Sequence, residues 1–354
     1  MSAERPERPQ SPGDLGRLGR VGFVGLGNMG GRMTRRLTGA GIAVLGYDVR
    51  DGLAAAAGAT AADSPAAVCE GSDPVLLSLP DSAVVESVVL GPDGASGLIG
   101  AARPGQVIID FSTAAPASTR RIHAALAERG VHYLDAGISG GAAAAGKGTL
   151  TIMVGGSAPV LDAVRWVFDP IASKVVLMGD SGAGHSTKLL NNFLNAVSLA
   201  ATAEVMVAAR KAGLDLATVL DVINASSGVN YASLNRFPHI IKGDYLEGGL
   251  TSALMTKDLV LYVDHIRELG VPCLNASGPL AAFGAAANLG YADQISNRVV
   301  DAIGDLAGGV RLHPGGDGGR ESPMPGGAGS QGRRRAGAPH AEGLSPREQH
   351  GGGR

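Results

Sequence analysis

A lysine and an asparagine stand four residues apart in the segment Gly182-Ala183-Gly184-His185-Ser186-Thr187-Lys188-Leu189-Leu190-Asn191-Asn192. The flanking apolar residues make this a helix, so Lys188 and Asn192 point the same way. An amine can take up a proton and give it back, and an amide beside it can hold the hydroxyl that carries that proton. Asn195 continues the stripe, while Leu189, Leu190, Phe193, Leu194 and Val197 supply the apolar remainder of the helix. Three polar side chains on such a helix need partners, because polar groups buried without them are costly.

A place for a redox cofactor lies far upstream. Gly25-Leu26-Gly27-Asn28-Met29-Gly30 follows the short β-prone run Val21–Val24 and precedes a helical stretch from about Met29 to Ala40. In that context Gly25 permits a tight turn, Gly27 lets a pyrophosphate approach the backbone, and Gly30 lets the helix pack on the strand. Asp48 ends the next strand, where a carboxylate accepts hydrogen bonds from a ribose and repels a 2′-phosphate; NAD is favoured, with NADP open because Arg50 follows two residues later. Leu79-Pro80-Asp81 and Asp110-Phe111-Ser112-Thr113 end two more strands, at the sheet edge where open α/β folds bind ligands. Ser112 and Thr113 are readable as turn formers, as a cap or as cofactor contacts. Asp135-Ala136-Gly137-Ile138-Ser139-Gly140-Gly141 reads as a turn after a strand, whose glycine amides and serine hydroxyl suit a carboxylate. Lys257-Asp258 opens a later amphipathic helix; such a pair is ordinarily a surface pair unless it faces the cleft.

The elements that must position these residues alternate. Runs at Val21–Val24, Ile42–Tyr47, Val75–Leu79, Val107–Asp110 and His132–Asp135 are separated by helix-like stretches, which implies a parallel sheet covered by helices on both faces. Thr149–Val154 and Lys174–Met178 extend the sheet. From His185 onward the patterns are helical: about His185–Ala212, Asp215–Ala225, Leu254–Leu269 and Pro279–Leu289. The expected organisation is a disordered leader over residues 1–20, a Rossmann-type doubly wound nucleotide-binding domain over 21–183, an all-α domain over 184–308 joined by a long helix, and a disordered Gly/Pro/Arg-rich tail over 309–354.

With 354 residues, 45% of them hydrophobic, the chain can bury a sizeable core. A formal net charge of −2 gives no bulk attraction to nucleic acid or anionic membrane, so a small polar ligand is the expected partner. The apolar stretch Leu194–Ala209 is interrupted by Asn195, Ser198, Thr202 and Glu204, which argues against a membrane span. Cys69 and Cys273 fit neither a metal site nor a disulfide framework, in keeping with a reducing cytoplasm. No metal is expected. Trp166 and the eight histidines form no constellation.

Taken together, Gly25–Gly30, Asp135–Gly141, Gly182–Asn192 and Lys257-Asp258 resemble, in order and context, the β-hydroxyacid dehydrogenases, the family of 3-hydroxyisobutyrate dehydrogenase and tartronate semialdehyde reductase. The resemblance covers roughly Arg20 to Leu306. It implies a nicotinamide-dependent oxidoreductase that moves hydride between the cofactor and a small 3-hydroxy acid or its semialdehyde. It makes Lys188 the general acid/base and Asn192 a substrate-orienting amide, and gives the substrate carboxylate to Ser139, Gly140 and Gly141. Thr113 and Lys257 would contact the cofactor near its reactive end, with Leu79 and Pro80 in a nicotinamide-side loop. A homodimer or homotetramer is implied as well. Asn191 stands where 6-phosphogluconate dehydrogenases carry histidine, and retention of Lys188 argues against an imine reductase of the same superfamily. Gly137 departs from the proline many members carry. A non-catalytic sensor or scaffold on the same fold is the alternative from another class.

Overall fold

The computed structural model describes residues 20–313; the expected leader before residue 20 and the expected tail from residue 314 lie outside the described residues. Eight strands, β1 (Arg20–Val24), β2 (Ala43–Tyr47), β3 (Thr60–Ala61), β4 (Val75–Leu77), β5 (Val107–Asp110), β6 (His132–Ser139), β7 (Leu150–Gly155) and β8 (Ala172–Gly179), form one sheet in the order β3-β2-β1-β4-β5-β6-β7-β8. The central strands are buried on both faces, and their residues alternate between two cores. In β4, Leu76 joins Phe23, Ile109 and Leu134 on one side, while Val75 and Leu77 join Val24, Ile108 and Tyr133 on the other. The strand order turns outward from β1 in both directions, as in a doubly wound fold, and helices cover both faces.

The sheet is not wholly parallel as expected from the alternation. β7 runs antiparallel to β6, pairing Asp135 with Gly155 and Ser139 with Thr151, and β8 then runs parallel to β7. Residues 140–149, with the short helix Gly141–Lys147, are all that join β6 to β7, and a parallel crossover takes roughly a dozen residues or more. A second correction concerns the segment read as a turn after Asp135. β6 continues through Ser139, and only Gly140 and Gly141, both at positive φ, turn the chain.

From Gly182 onward the described residues are mainly helical. The helix Ala183–Lys211, about 43 Å long at 1.5 Å per residue, begins against β6, β7 and β8 and ends in a separate helical core. Ala196, Leu199, Ala200, Ala203, Met206 and Val207 recur at helical spacing and meet Phe237, Met255, Leu259, Phe283 and Val299. Its length and composition would allow it to cross a membrane, with 50% of the apolar window buried within the protein. The packed chain also runs past the expected boundary at 308: Leu312 is buried, and Arg210 donates to the carbonyls of Arg311 (3.2 Å) and Leu312 (2.6 Å).

The start of this helix is fixed from the sheet. Gly182, at φ 91°, precedes it without any side-chain cap of its own. The buried Asp135 of β6 accepts instead from the amides of Gly182 and His185, each at 2.8 Å, and so satisfies two of the first-turn N–H groups. Three residues further on is Lys188.

Candidate active site

A cleft of about 810 Å³ opens between the carboxyl ends of the strands and the helical domain. After β1 it is lined by Asn28 and Met29, after β4 by Leu79 and Pro80, and after β5 by Thr113. Ser139, Gly140 and Gly141 line it at the end of β6. From the helical side come Lys188, Asn192 and Lys257. Gly25, Leu26, Gly27, Gly30 and Asp48 lie in and beneath the glycine turn beside the cleft, outside its lining.

The glycine turn is built for close approach. Gly25 has φ 90°, and a Cβ there would stand 2.3 Å from the Ser78 carbonyl oxygen; a Cβ on Gly30 would stand 1.9 Å from the Gly25 carbonyl oxygen. Neither position admits a side chain. A Cβ on Gly27 would meet only the Arg50 guanidinium, at 3.2 Å, so that face of the turn is otherwise open. No side chain caps the following helix, Gly30–Gly39; the Gly31 and Arg32 amides donate to the carbonyls of Gly27 (2.9 Å) and Met29 (3.1 Å), so what the helix start offers an anion is its positive dipole end behind the open turn. These residues fit the pyrophosphate of a dinucleotide.

Asp48 holds this turn together. Its Oδ2 accepts from the Leu26 amide at 2.7 Å, and its Oδ1 accepts from the Arg50 amide at 3.0 Å and from Arg50 Nε at 3.2 Å. Burial alone would raise the carboxyl, but the Arg50 and Leu26 bonds hold it below the ordinary carboxylate value. Ser112, whose role the sequence left open, is a tie between loops: its hydroxyl accepts from the Leu79 amide at 2.9 Å. His185 is also buried, with Nδ1 at 2.7 Å from the Thr119 hydroxyl.

Lys257 faces the cleft. Its ammonium donates to the carbonyls of Pro80 (3.0 Å) and Thr113 (3.1 Å), pinning the helix Ser252–Glu268 to the ends of β4 and β5, and it lies 3.2 Å from Asp258 Oδ1. Asp258 is buried and accepts a short hydrogen bond from the Asn192 amide. This carboxylate therefore fixes which way Asn192 presents its remaining groups. Lys188, one turn before Asn192, is half-buried against Gly137, where a Cβ would stand 2.6 Å from the lysine Cβ. Burial pulls the Lys188 pKa down to about 8; Asp258 opposes that shift and the positive charge of Lys257 adds to it.

The glycine turn, the lysine–amide pair and the cleft between them have counterparts among known proteins. Residues 20–179 match the NAD binding domain of 6-phosphogluconate dehydrogenase, and residues 182–303 match the NAD-binding domain of NADP-dependent 3-hydroxyisobutyrate dehydrogenase. The chain is 36% identical over 249 residues to 2-(hydroxymethyl)glutarate dehydrogenase of Eubacterium barkeri, covering 70% of this chain and 82% of that protein. It is 37% identical to the 3-hydroxyisobutyrate dehydrogenase of Pseudomonas aeruginosa, covering 72% and 86% of the two chains. The chain belongs to the β-hydroxyacid dehydrogenases. Among solved structures, 3-hydroxyisobutyrate dehydrogenase of Mycobacterium tuberculosis, determined with L-serine, matches with a TM-score of 0.71 and 32% identity over 80% of this chain and 98% of that one. An imine reductase from Pseudomonas sp., at 21% identity and a TM-score of 0.53, shares the fold.

As a β-hydroxyacid dehydrogenase the chain is an oxidoreductase with a nicotinamide-cofactor domain, and the open question is what each side chain does. The cleft sets an amine of lowered basicity beside an oriented amide and, at the end of β6, a serine hydroxyl with glycine amides. That set can exchange one proton and hold one carboxylate. Sequence reasoning left Asp258 unassigned and did not foresee that Asp135 caps the long helix. No local pattern marks either, because each partner lies 47 or more positions away.

Proposed function

We propose that the protein interconverts a small 3-hydroxy acid and its semialdehyde, with NAD as the favoured cofactor. When bound, the nicotinamide supplies or accepts hydride at the carbinol carbon. Lys188 takes the hydroxyl proton in oxidation and returns it to the oxygen in reduction. Asn192, oriented by Asp258, holds that oxygen, and the Ser139-Gly140-Gly141 turn binds the carboxylate, setting the reacting carbon at a fixed distance from Lys188. The residues after β1 and Lys257, with the loops at Pro80 and Thr113, hold the cofactor side.

The observation that carries this reading is the half-buried Lys188 with its pKa lowered to about 8, against a cleft with an oriented amide. A general base works best when its pKa lies near the working pH. The names of the relatives support the substrate class: 2-(hydroxymethyl)glutarate, L-serine, 3-hydroxyisobutyrate and L-threonate all carry a hydroxyl on the third carbon of an acid. The test is absorbance at 340 nm with these acids and both cofactors across pH. Oxidation should rise with pH through about 8 and level off above it, and reduction should fall over the same interval. If no acid is turned over at any pH, the catalytic reading is wrong.

A further inference from the structure

The far end of the cleft carries a positive charge with no partner of opposite sign. Arg236 lines the cleft and is half-buried. Its Nη1 donates to the Asn297 side-chain oxygen at 2.8 Å and its Nη2 to that of Asn195 at 2.9 Å, while the guanidinium carbon lies 5.7 Å from the Tyr231 ring centroid. Both hydrogen-bond partners are neutral amides, and two of its five N–H donors are thereby used. The two carboxylates lining the cleft are engaged elsewhere, Asp258 with Lys257 at 3.2 Å and Glu247 with Arg298 at 3.6 Å. Among the described residues Arg236 forms no ion pair. Burial lowers its pKa, with Tyr231 opposing. A guanidinium held in place by neutral amides and an aromatic ring is a charge left for something that enters the cleft.

Its place along the long helix sets the reach. Asn195 stands seven residues beyond Lys188 on the same face, roughly 10 Å along the axis. The helix position that carries Lys188 and the one that holds Arg236 are thus about two turns apart, a spacing that a short carbon chain bridges. We infer that Arg236 is a second anion subsite and that the substrate is a dicarboxylate, its distal carboxylate a few bonds beyond the carbinol carbon. A planar carboxylate matches the guanidinium fork, with two N–H groups donating to its two oxygens. This rests on the reading of the Lys188 site above and extends it from one carboxylate to two.

Two isosteric acids test it: 2-(hydroxymethyl)glutarate and 2-(hydroxymethyl)pentanoate, which differ by a terminal carboxylate in place of a methyl group. The wild type should favour the diacid by about 10- to 100-fold in kcat/KM, chiefly through KM. In Arg236→Gln that ratio should collapse to within about threefold of unity, and in Arg236→Lys it should be partly kept. Thermal unfolding of both variants checks that the helical core is intact. Calorimetric binding of glutarate against pentanoate to the NAD-loaded protein reads the same subsite without turnover, and glutarate should lose its advantage in Arg236→Gln. Equal use of both acids by the wild type, or a diacid preference that survives Arg236→Gln, overturns the subsite while leaving the Lys188 reading standing. Turnover of neither acid with a glutarate preference that Arg236→Gln abolishes does the opposite.

Discussion

The two walls of the cleft are made of different material. The sheet side is largely loop backbone: Asn28-Met29 of the turn after β1, the Pro80 and Thr113 loops whose carbonyls accept from Lys257, and Gly140-Gly141 after β6. On the helical side it is side chains, Lys188, Asn192, Asp258 and Arg236, set on helices by contacts with distant residues. Backbone groups suit a ligand part common to many enzymes, since side chains can change around them; charged side chains suit the part that differs. On the proposed assignment the sheet wall after β1, β4 and β5 faces the cofactor, while the turn after β6 joins the helical wall in facing the substrate and its proton. Lys257 belongs to both, rooted in the helical domain and bonded to the sheet's loops.

The largest break in this division should come from Lys188→Ala. If the helical wall does the proton chemistry and the sheet wall holds the cofactor, kcat should fall by about 10³, within the range for removing a general acid/base. NADH affinity, followed by fluorescence titration, should stay within about twofold. Loss of NADH binding with kcat otherwise intact would mean that the two walls are not separable in this way.

The same division explains what was legible. The glycine turn lay in a strand–turn–helix context of about ten residues, and each glycine could be given a steric reason that the structure bears out at Gly25 and Gly30. The strands of the inner sheet showed as short apolar runs with little else to compete. The direction of β7 did not show, because it depends on the short link from Ser139 to Leu150 and not on the pattern within either strand. Asp258 read as half of a surface pair, yet it is buried because Asn192, 66 positions earlier, lies against it. Asp135 read as the start of a turn, yet its carboxylate caps a helix 47 positions later. Long-range partners of polar groups leave no periodicity in a single sequence.

Gly137 tests the seam between the walls. Its φ is ordinary, so the backbone does not require glycine; the requirement comes from the long helix, since a Cβ would stand 2.6 Å from Lys188 Cβ and 3.0 Å from the Gly184 carbonyl oxygen. Gly137→Ala should push the start of that helix away from β6 and carry Lys188 toward water. We expect kcat to drop roughly 10-fold, because small misplacements of a catalytic group are costly. Since burial is the main cause of the lowered Lys188 pKa, the midpoint of the oxidation profile should move above about 8. An unchanged midpoint and rate would show that the helix has slack at this point.

The smallest effect should lie at the outer end of the sheet wall, where Asp48 and Arg50 meet. Asp48 caps the glycine turn through the Leu26 amide and shares its other oxygen with Arg50, whose side chain is 65% exposed. On the proposed assignment the carboxylate favours a ribose hydroxyl over a 2′-phosphate, and the guanidinium offsets part of that preference. Arg50→Ala should therefore leave NAD use nearly unchanged and weaken NADP use, widening the kcat/KM ratio by about three- to tenfold, a modest factor because an exposed pair is screened by solvent. Equal losses for both cofactors would make Arg50 a brace for Asp48 only. A wild-type preference for NADP would reverse the assignment and give the guanidinium, not the carboxylate, control of that end of the cleft.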